Sequence, residues 1–475
     1  MSAKPPSVVI RLGSHAEKEY VLKLQSLLDG IIVGANLFEA SPGATASLIR
    51  RMARGSCVYF IDPMTYAFGT YKDRDGALRD DLDWIKSDQQ INKQENQKEK
   101  DQKTETVRDF KRSYRALSEK IGFPLNESIR RKRAVHPSDL TSDDALAEFC
   151  HAVAHYQTTR LSSVLQQDEL LAKLFARAPS LAADLPSPAA VFAPYFYNEP
   201  TTAAEWASLN IRLMKATAKL NLRLPVHGIV SADVSHLDDP TFLRILRTEL
   251  PKTGISGIWL WFSRFLEDQA PTEQLTAFGQ LVADLSKSLA VYNLHGGFLS
   301  LALSSLGLTG ISHGVGYGEQ KDVIPVIGQS TPTVRFYLPP LRKRQGVLEI
   351  ERCFKALGIA SPEDFHAKVC DCVVCRGVVV KSLADFSTFG ELHISTPQSK
   401  RPAQTPAAAK RCRFHFLLTR LAERDWVREA SGAAIVRALD EAFETWGKQP
   451  TLVSQSQHLP RWGSALEGKT RKAST

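Results

Sequence analysis

Three cysteines fall within six residues, Cys370-Asp371-Cys372-Val373-Val374-Cys375. Three thiolates this close can turn onto one ion, and a tetrahedral zinc then needs a fourth nitrogen or sulfur ligand. His393, Cys412 and His415 lie downstream as candidates. His415 is preferred because it opens an apolar helix (Phe414, Phe416, Leu417, Leu418, Leu421) to which a neighbouring loop can present the thiolates. Four protein ligands leave no open position, so such a zinc is structural. A redox C-x-x-C lacks its usual βαβ setting here. Seven cysteines with no secretory signal fit a reducing cytoplasm rather than a disulfide framework.

Carboxylates and aromatic residues at strand ends form a second group. The β-forming run 56–61 stops at Asp62-Pro63, and Tyr66 follows. Asp233 comes just after the apolar run 226–230. His313 and Glu319 flank the glycine-rich stretch 314–318. A carboxylate at such a place can cap a turn, or it can serve as acid, base or nucleophile. His313 can contact a base or a phosphate. Tyr195, Tyr197, Trp259, Trp261 and Tyr317 also sit near strand ends, where rings either pack or hold a flat ligand.

The elements that must position these groups alternate. β-like runs at 190–196, 226–230, 257–262, 291–294 and 334–338 are separated by helical stretches at 203–220, 240–249, 272–289 and 298–305. Six or more strands between 58 and 338, mostly with a helix between them, predict an α/β chain folded as a (β/α)8 TIM-type barrel, whose chemistry sits at the C-terminal strand ends. An open doubly wound sheet is the alternative, but no G-x-G-x-x-G opens a helix after the first strand. Residues 1–345 are expected to hold the barrel, with a polar insertion at 86–108 and a helical segment at 109–185. Residues 346–448 are expected to form a zinc-binding C-terminal subdomain, with a linker at 396–411, and 449–475 a flexible basic tail.

The 475 residues carry 60 Lys+Arg against 51 Asp+Glu, a net +9. Residues 340–475 hold 22 basic and 14 acidic groups, so nearly all of the excess lies in the last third. A basic region suits a polyanion. Arg342-Lys343-Arg344, Lys400-Arg401, Lys410-Arg411, Arg413 and Arg471-Lys472 are the candidate phosphate contacts. No run of about 18 apolar residues is present, so no membrane span is expected.

A C-x-C-x-x-C followed some 40 residues later by a helix-opening His, after a β/α pattern, resembles the tRNA-guanine transglycosylases and their relatives that place 7-deazaguanine bases in DNA. The resemblance implies a zinc-bearing barrel with Cys370, Cys372, Cys375 and His415 as ligands. It implies Asp62 as an acid/base carboxylate and Tyr66 as a base-stacking wall. It also implies tRNA or DNA, with guanine or a 7-deazaguanine, as partners; a homodimer or heteromeric partner is compatible. Two departures stand out. Pro63-Met64-Thr65 replaces the family's Ser-Gly-Gly, and 309–316 has no Asp where the family keeps its nucleophile. Asp233 is the best positional replacement for that nucleophile and Glu319 the weaker one. The rival expectation is a catalytically degenerate nucleic-acid-binding or partner subunit on the same scaffold, and the weakest is an unrelated zinc-ribbon protein with a separate α/β domain.

Overall fold

The computed structural model describes residues 5–55, 57–69, 112–131, 133–174, 186–316, 319, 321–323, 333–396 and 399–467. Nine short runs of β-branched and aromatic residues form strands: β1 (Ser7–Leu12), β2 (Gly30–Gly34), β3 (Val58–Asp62), β4 (Val191–Phe192), β5 (Tyr197–Asn198), β6 (Val226–Asp233), β7 (Gly257–Ser263), β8 (Ala290–Asn293) and β9 (Leu308–His313). All pair in parallel, in the order β3-β2-β1-β9-β8-β7-β6-β4, with β5 also on β6. β4 and β5 are two pieces of one stave, so the sheet has eight. Its two edges meet where the Ala189 N–H donates to the Tyr59 carbonyl at 2.9 Å. The result is a nearly closed parallel barrel, consistent with a (β/α)8 fold. The strands are buried on both faces, which explains their near-continuous apolar runs.

Rings fill the interior. Trp259 stacks on Tyr292 at 4.3 Å and donates its indole N–H to His227 at 3.1 Å; Phe60 and Phe192 meet the same indole. Helices Pro42–Arg54, Asp143–Leu174, Ala203–Ala218, Pro240–Glu249 and Thr272–Leu285 connect successive staves. The eighth position, outside β9 and β1, goes to the long helix Pro406–Glu429. Its Phe416 meets His313, its Phe414 meets Tyr20, and its Arg424 pairs with Asp29. Asp29 in turn accepts from the Val8 N–H at the start of β1.

The stave made of β4 and β5 is irregular. Phe192 is level with His227 but Tyr197 is level with Ser231, so this stave carries one residue more than β6 over the same span. That is a bulge, and Pro194 sits inside it.

Three expectations need correction. The run 334–338 is not a stave: β10 (Phe336–Leu338) pairs antiparallel with β11 (Lys343–Gln345) in a separate hairpin. The barrel takes its first two staves from residues before 58, within the expected span 1–345. The linker at 396–411 gives way to a hairpin, β12 (Leu392–Thr396) with β13 (Ser399–Gln404), followed by the long helix. The expected tail contains helices Val453–Ser456 and His458–Glu467; Leu459, Trp462 and Leu466 recur at helical spacing and are buried. The insertion at 86–108 and the last eight residues lie outside the described residues. Among the described residues, no helix is long and apolar enough to cross a membrane.

Candidate metal centre and barrel mouth

The cysteine run is set by two short helices. Ser361 caps Pro362–Lys368 in a capping box with Asp364, which delivers the chain to Cys370. Cys372 caps Val373–Val378, which carries Cys375. The long helix brings His415 to the same point, fully buried. Its Nδ1 lies 3.6 Å from Cys370 Sγ and 3.4 Å from the sulfurs of Cys372 and Cys375. The four ligand atoms all fall within 4.8 Å of one another. A tetrahedral ion with metal–sulfur and metal–nitrogen bonds near 2.3 and 2.1 Å sets sulfur and nitrogen about 3.6 Å apart. The residues therefore fit a metal ion.

The surroundings complete the fit. His415 Nε2 donates to the Tyr337 carbonyl at 2.6 Å, which fixes the tautomer and leaves the Nδ1 lone pair facing the sulfurs. Phe336 stacks on the imidazole at 4.0 Å. The Cys372 and Cys375 amides donate to Cys370 Sγ and Cys372 Sγ, each at 3.5 Å. Hydrogen bonds from Cys370 and Cys375 hold Cys372 far below the ordinary thiol range. The alternative ligands are elsewhere. Cys412, one turn before His415, is turned to the Phe389 carbonyl, with its thiol pushed up to about 12 by burial. His393 is exposed on β12.

The second centre is the barrel mouth, where β3 and β6 end in carboxylates that point inward. Asp62 is fully buried. It pairs with Arg11 of β1 at 2.6 Å, accepts the Tyr195 hydroxyl at 3.0 Å and caps the Met64 N–H at 2.9 Å. Asp233 pairs with Arg264 at 2.5 Å, accepts the Tyr197 hydroxyl at 3.0 Å and takes both the amide and the hydroxyl of Ser235. Burial pushes Asp233 up, but Ser235 and Arg264 outweigh it and hold the carboxyl below its usual range. Burial opposes the charge on Arg11; Asp62, Tyr195 and Tyr66 reverse that and raise it. Thus the stave between β3 and β6 hands one phenol to each carboxylate. Met64 and Arg264, immediately after β3 and β7, are both in the left-handed region, at φ 57° and 67°. Such backbone strain in non-glycine residues tends to gather at functional sites.

Other predicted residues part from this mouth. The Tyr66 ring is buried, with Tyr195 stacked on it at 5.5 Å, the edge of Trp261 at 4.9 Å and Lys321 donating to its hydroxyl at 3.2 Å. Its faces are committed to protein, so in this conformation it is not an open wall for a base. His313 is level with Ile10, one step out of phase with inward-facing Arg11, and packs outside the barrel on Phe416. Burial and then Arg420 bring its imidazole down to about 4. Ser312, not a carboxylate, is the β9 residue that turns inward. Glu319 is held by Arg344 and Arg420.

The basic run Arg342-Lys343-Arg344 is also engaged, with Glu423, Asp268 and Glu319 respectively. Lys410 pairs with Glu19, and Arg411 with Glu391. The excess positive charge on these residues is thus largely neutralised within the fold. Arg11, Arg264 and Lys321 were not singled out from the sequence. Arg11 had a signal, a lone charge inside an apolar strand, which demands a buried partner; Lys321 had none. No protein-family model matches the chain, and no curated protein matches its sequence.

Proposed function

We propose that this chain is a zinc-stapled barrel that exchanges a base in tRNA or DNA, replacing guanine by a 7-deazaguanine. Residues after 345 would form its zinc-binding subdomain, with zinc chosen by three thiolates and one imidazole. When bound, that ion supplies rigidity rather than chemistry. The observation that carries the reading is a pair of inward carboxylates, Asp62 and Asp233, at the mouth ends of two staves flanking a stave of phenols.

Base exchange needs a carboxylate that attacks C1′ as the guanine leaves with a proton. The incoming base then gives up its own proton and displaces the carboxylate. Asp233, ionised and nearer the surface through Arg264, suits the nucleophile. Asp62, oriented by Arg11 and Tyr195, suits proton transfer. The target base would have to leave its stack to reach either group.

Incubation of the metal-loaded protein with labelled guanine and either tRNA or duplex DNA tests this. Incorporation into one polymer is expected, reduced at least about a thousandfold in Asp233→Ala. No incorporation into either polymer retires the reading. The second reading, a non-catalytic binding subunit, is favoured by one observation: both carboxylates are already neutralised by guanidinium groups. Polymer binding without exchange would select it.

A further inference from the structure

The metal centre and the mouth are joined by one continuous chain of buried polar contacts. His415 donates to the Tyr337 carbonyl. The Tyr337 hydroxyl donates to Glu423 at 3.0 Å. Glu423 accepts from Arg420 at 2.8 Å and from Arg342 at 3.1 Å. Arg420 is completely buried, and its other terminal nitrogen pairs with Glu319. The second oxygen of Glu319 takes Arg344, which also donates to the Gly316 carbonyl and lies 3.9 Å over the Phe416 ring.

Gly316 and Glu319 belong to the segment leaving the mouth end of β9. Two residues span at most about 7 Å, so holding Glu319 limits where Lys321 can go. Lys321 is seated in the mouth. Its ammonium lies 5.8 and 5.6 Å from the Tyr66 and Trp261 ring centroids, and its carbonyl accepts the Trp261 indole N–H at 2.8 Å. Two residues on, the Val323 N–H donates to Ser263 at the end of β7 at 3.0 Å.

We propose that the metal centre positions the barrel mouth: the helix that supplies His415 also supplies Arg420 and Glu423, which clamp Glu319 and so seat Lys321 over Tyr66 and Trp261. Arg420 and Glu319 are positioning residues. The reason is energetic. A buried guanidinium needs both of its carboxylates, so the chain cannot lose Glu319 without leaving Arg420 half-compensated. The helix that sets Arg420 meets the Cys370–Cys375 run at His415 and Thr419, and the barrel through Phe416 and Arg424. The clamp stands whichever polymer or base the mouth accepts, and its test does not use the exchange reaction.

Hydrogen exchange on the metal-loaded full chain tests it, read at the Val323 and Cys375 amides, which donate to Ser263 and Cys372. Removing the metal is expected to speed exchange at Val323 together with Cys375. In Glu319→Gln the metal content should stay at one ion per chain and Cys375 should stay protected, while Val323 exchanges about 100-fold faster. Tyr337→Phe keeps the carbonyl that holds His415 and removes only the link to Glu423. It should give the same pattern at about tenfold. Unchanged protection of Val323 in both variants, or after metal removal, overturns the proposal. A variant that lost its metal along with the protection would also count against it, because the coupling would then be global unfolding.

Discussion

The metal centre and the barrel mouth solve opposite problems. At the metal centre three sulfurs converge on one nitrogen, with few other polar partners for them. That arrangement is poor without an ion and good with one. At the mouth, each carboxylate is already met by a guanidinium, a phenol and a backbone amide. The carboxylates are satisfied by protein, although Arg11 Nη1 is buried without a hydrogen-bond partner. The first region is arranged to gain stability from an ion; in the second the chain itself supplies the carboxylates' partners. A site that is built to be filled is compact in sequence and easy to read, whereas one that is self-satisfied draws on residues from several staves.

The largest effect should come from breaking the first region. Cys375→Ser, or a strong chelator, should lower apparent stability by several kcal/mol, since structural zinc in small domains contributes on the order of 10 kcal/mol. Scanning calorimetry with and without chelator, alongside metal analysis, checks this. An unchanged melting temperature on losing the metal would place stability in the barrel alone.

The next effect separates the two carboxylates. Asp62→Ala strands Arg11 in the barrel and should cost about 3–5 kcal/mol. Asp233→Ala should cost clearly less, because the Arg264 side chain is 43% exposed and water can take over. Urea melts of the two variants decide it. Equal losses would remove the distinction between a buried and a rim carboxylate.

The smallest concerns acid. Burial depresses His227, His313 and His458 to about 4. The unfolded chain takes up these protons near pH 6.5, while the folded chain resists them down to about 4. Stability should therefore fall as pH drops through that window, by up to about 3 kcal/mol per histidine. Cys–His metal ligands protonate in the same direction. His313→Gln should flatten the fall without altering metal content. A pH profile identical to that of the parent would remove His313 from the acid response.

Much of this was legible in the sequence. The C-x-C-x-x-C spacing and a His on an apolar helix pointed to the four ligand residues, because thiol clustering is rare in a reduced chain without a metal. The strands at 226–230 and 257–262 announced themselves by unbroken β-branched and aromatic runs. The partners of the charges were not legible. Arg342-Lys343-Arg344 looked like a phosphate grip because nothing nearby in sequence neutralises it; Glu423, Asp268 and Glu319 do so from 81, 75 and 25 residues away. The side on which His313 lies was not legible either, because a one-residue difference in phase decides whether a strand residue faces the lumen or the helices. The C-terminal helix was overlooked because a polar composition hid three apolar residues at helical spacing.

The extra residue in the stave between Phe192 and Tyr197 bears on how this mouth can change. It resets the inside–outside alternation, so that Phe192 and both tyrosines face the same way while Phe196 packs outward against Trp206. Loss of Ala193 would restore an unbroken alternation with the same side chains inside, at the cost of the hydrogen bond its N–H gives the His227 carbonyl, which Pro194 cannot replace. Loss of Phe196 would turn Tyr197 away from Asp233. A change of length before Tyr195 thus keeps both phenols in the mouth, whereas one between Tyr195 and Tyr197 gives one up.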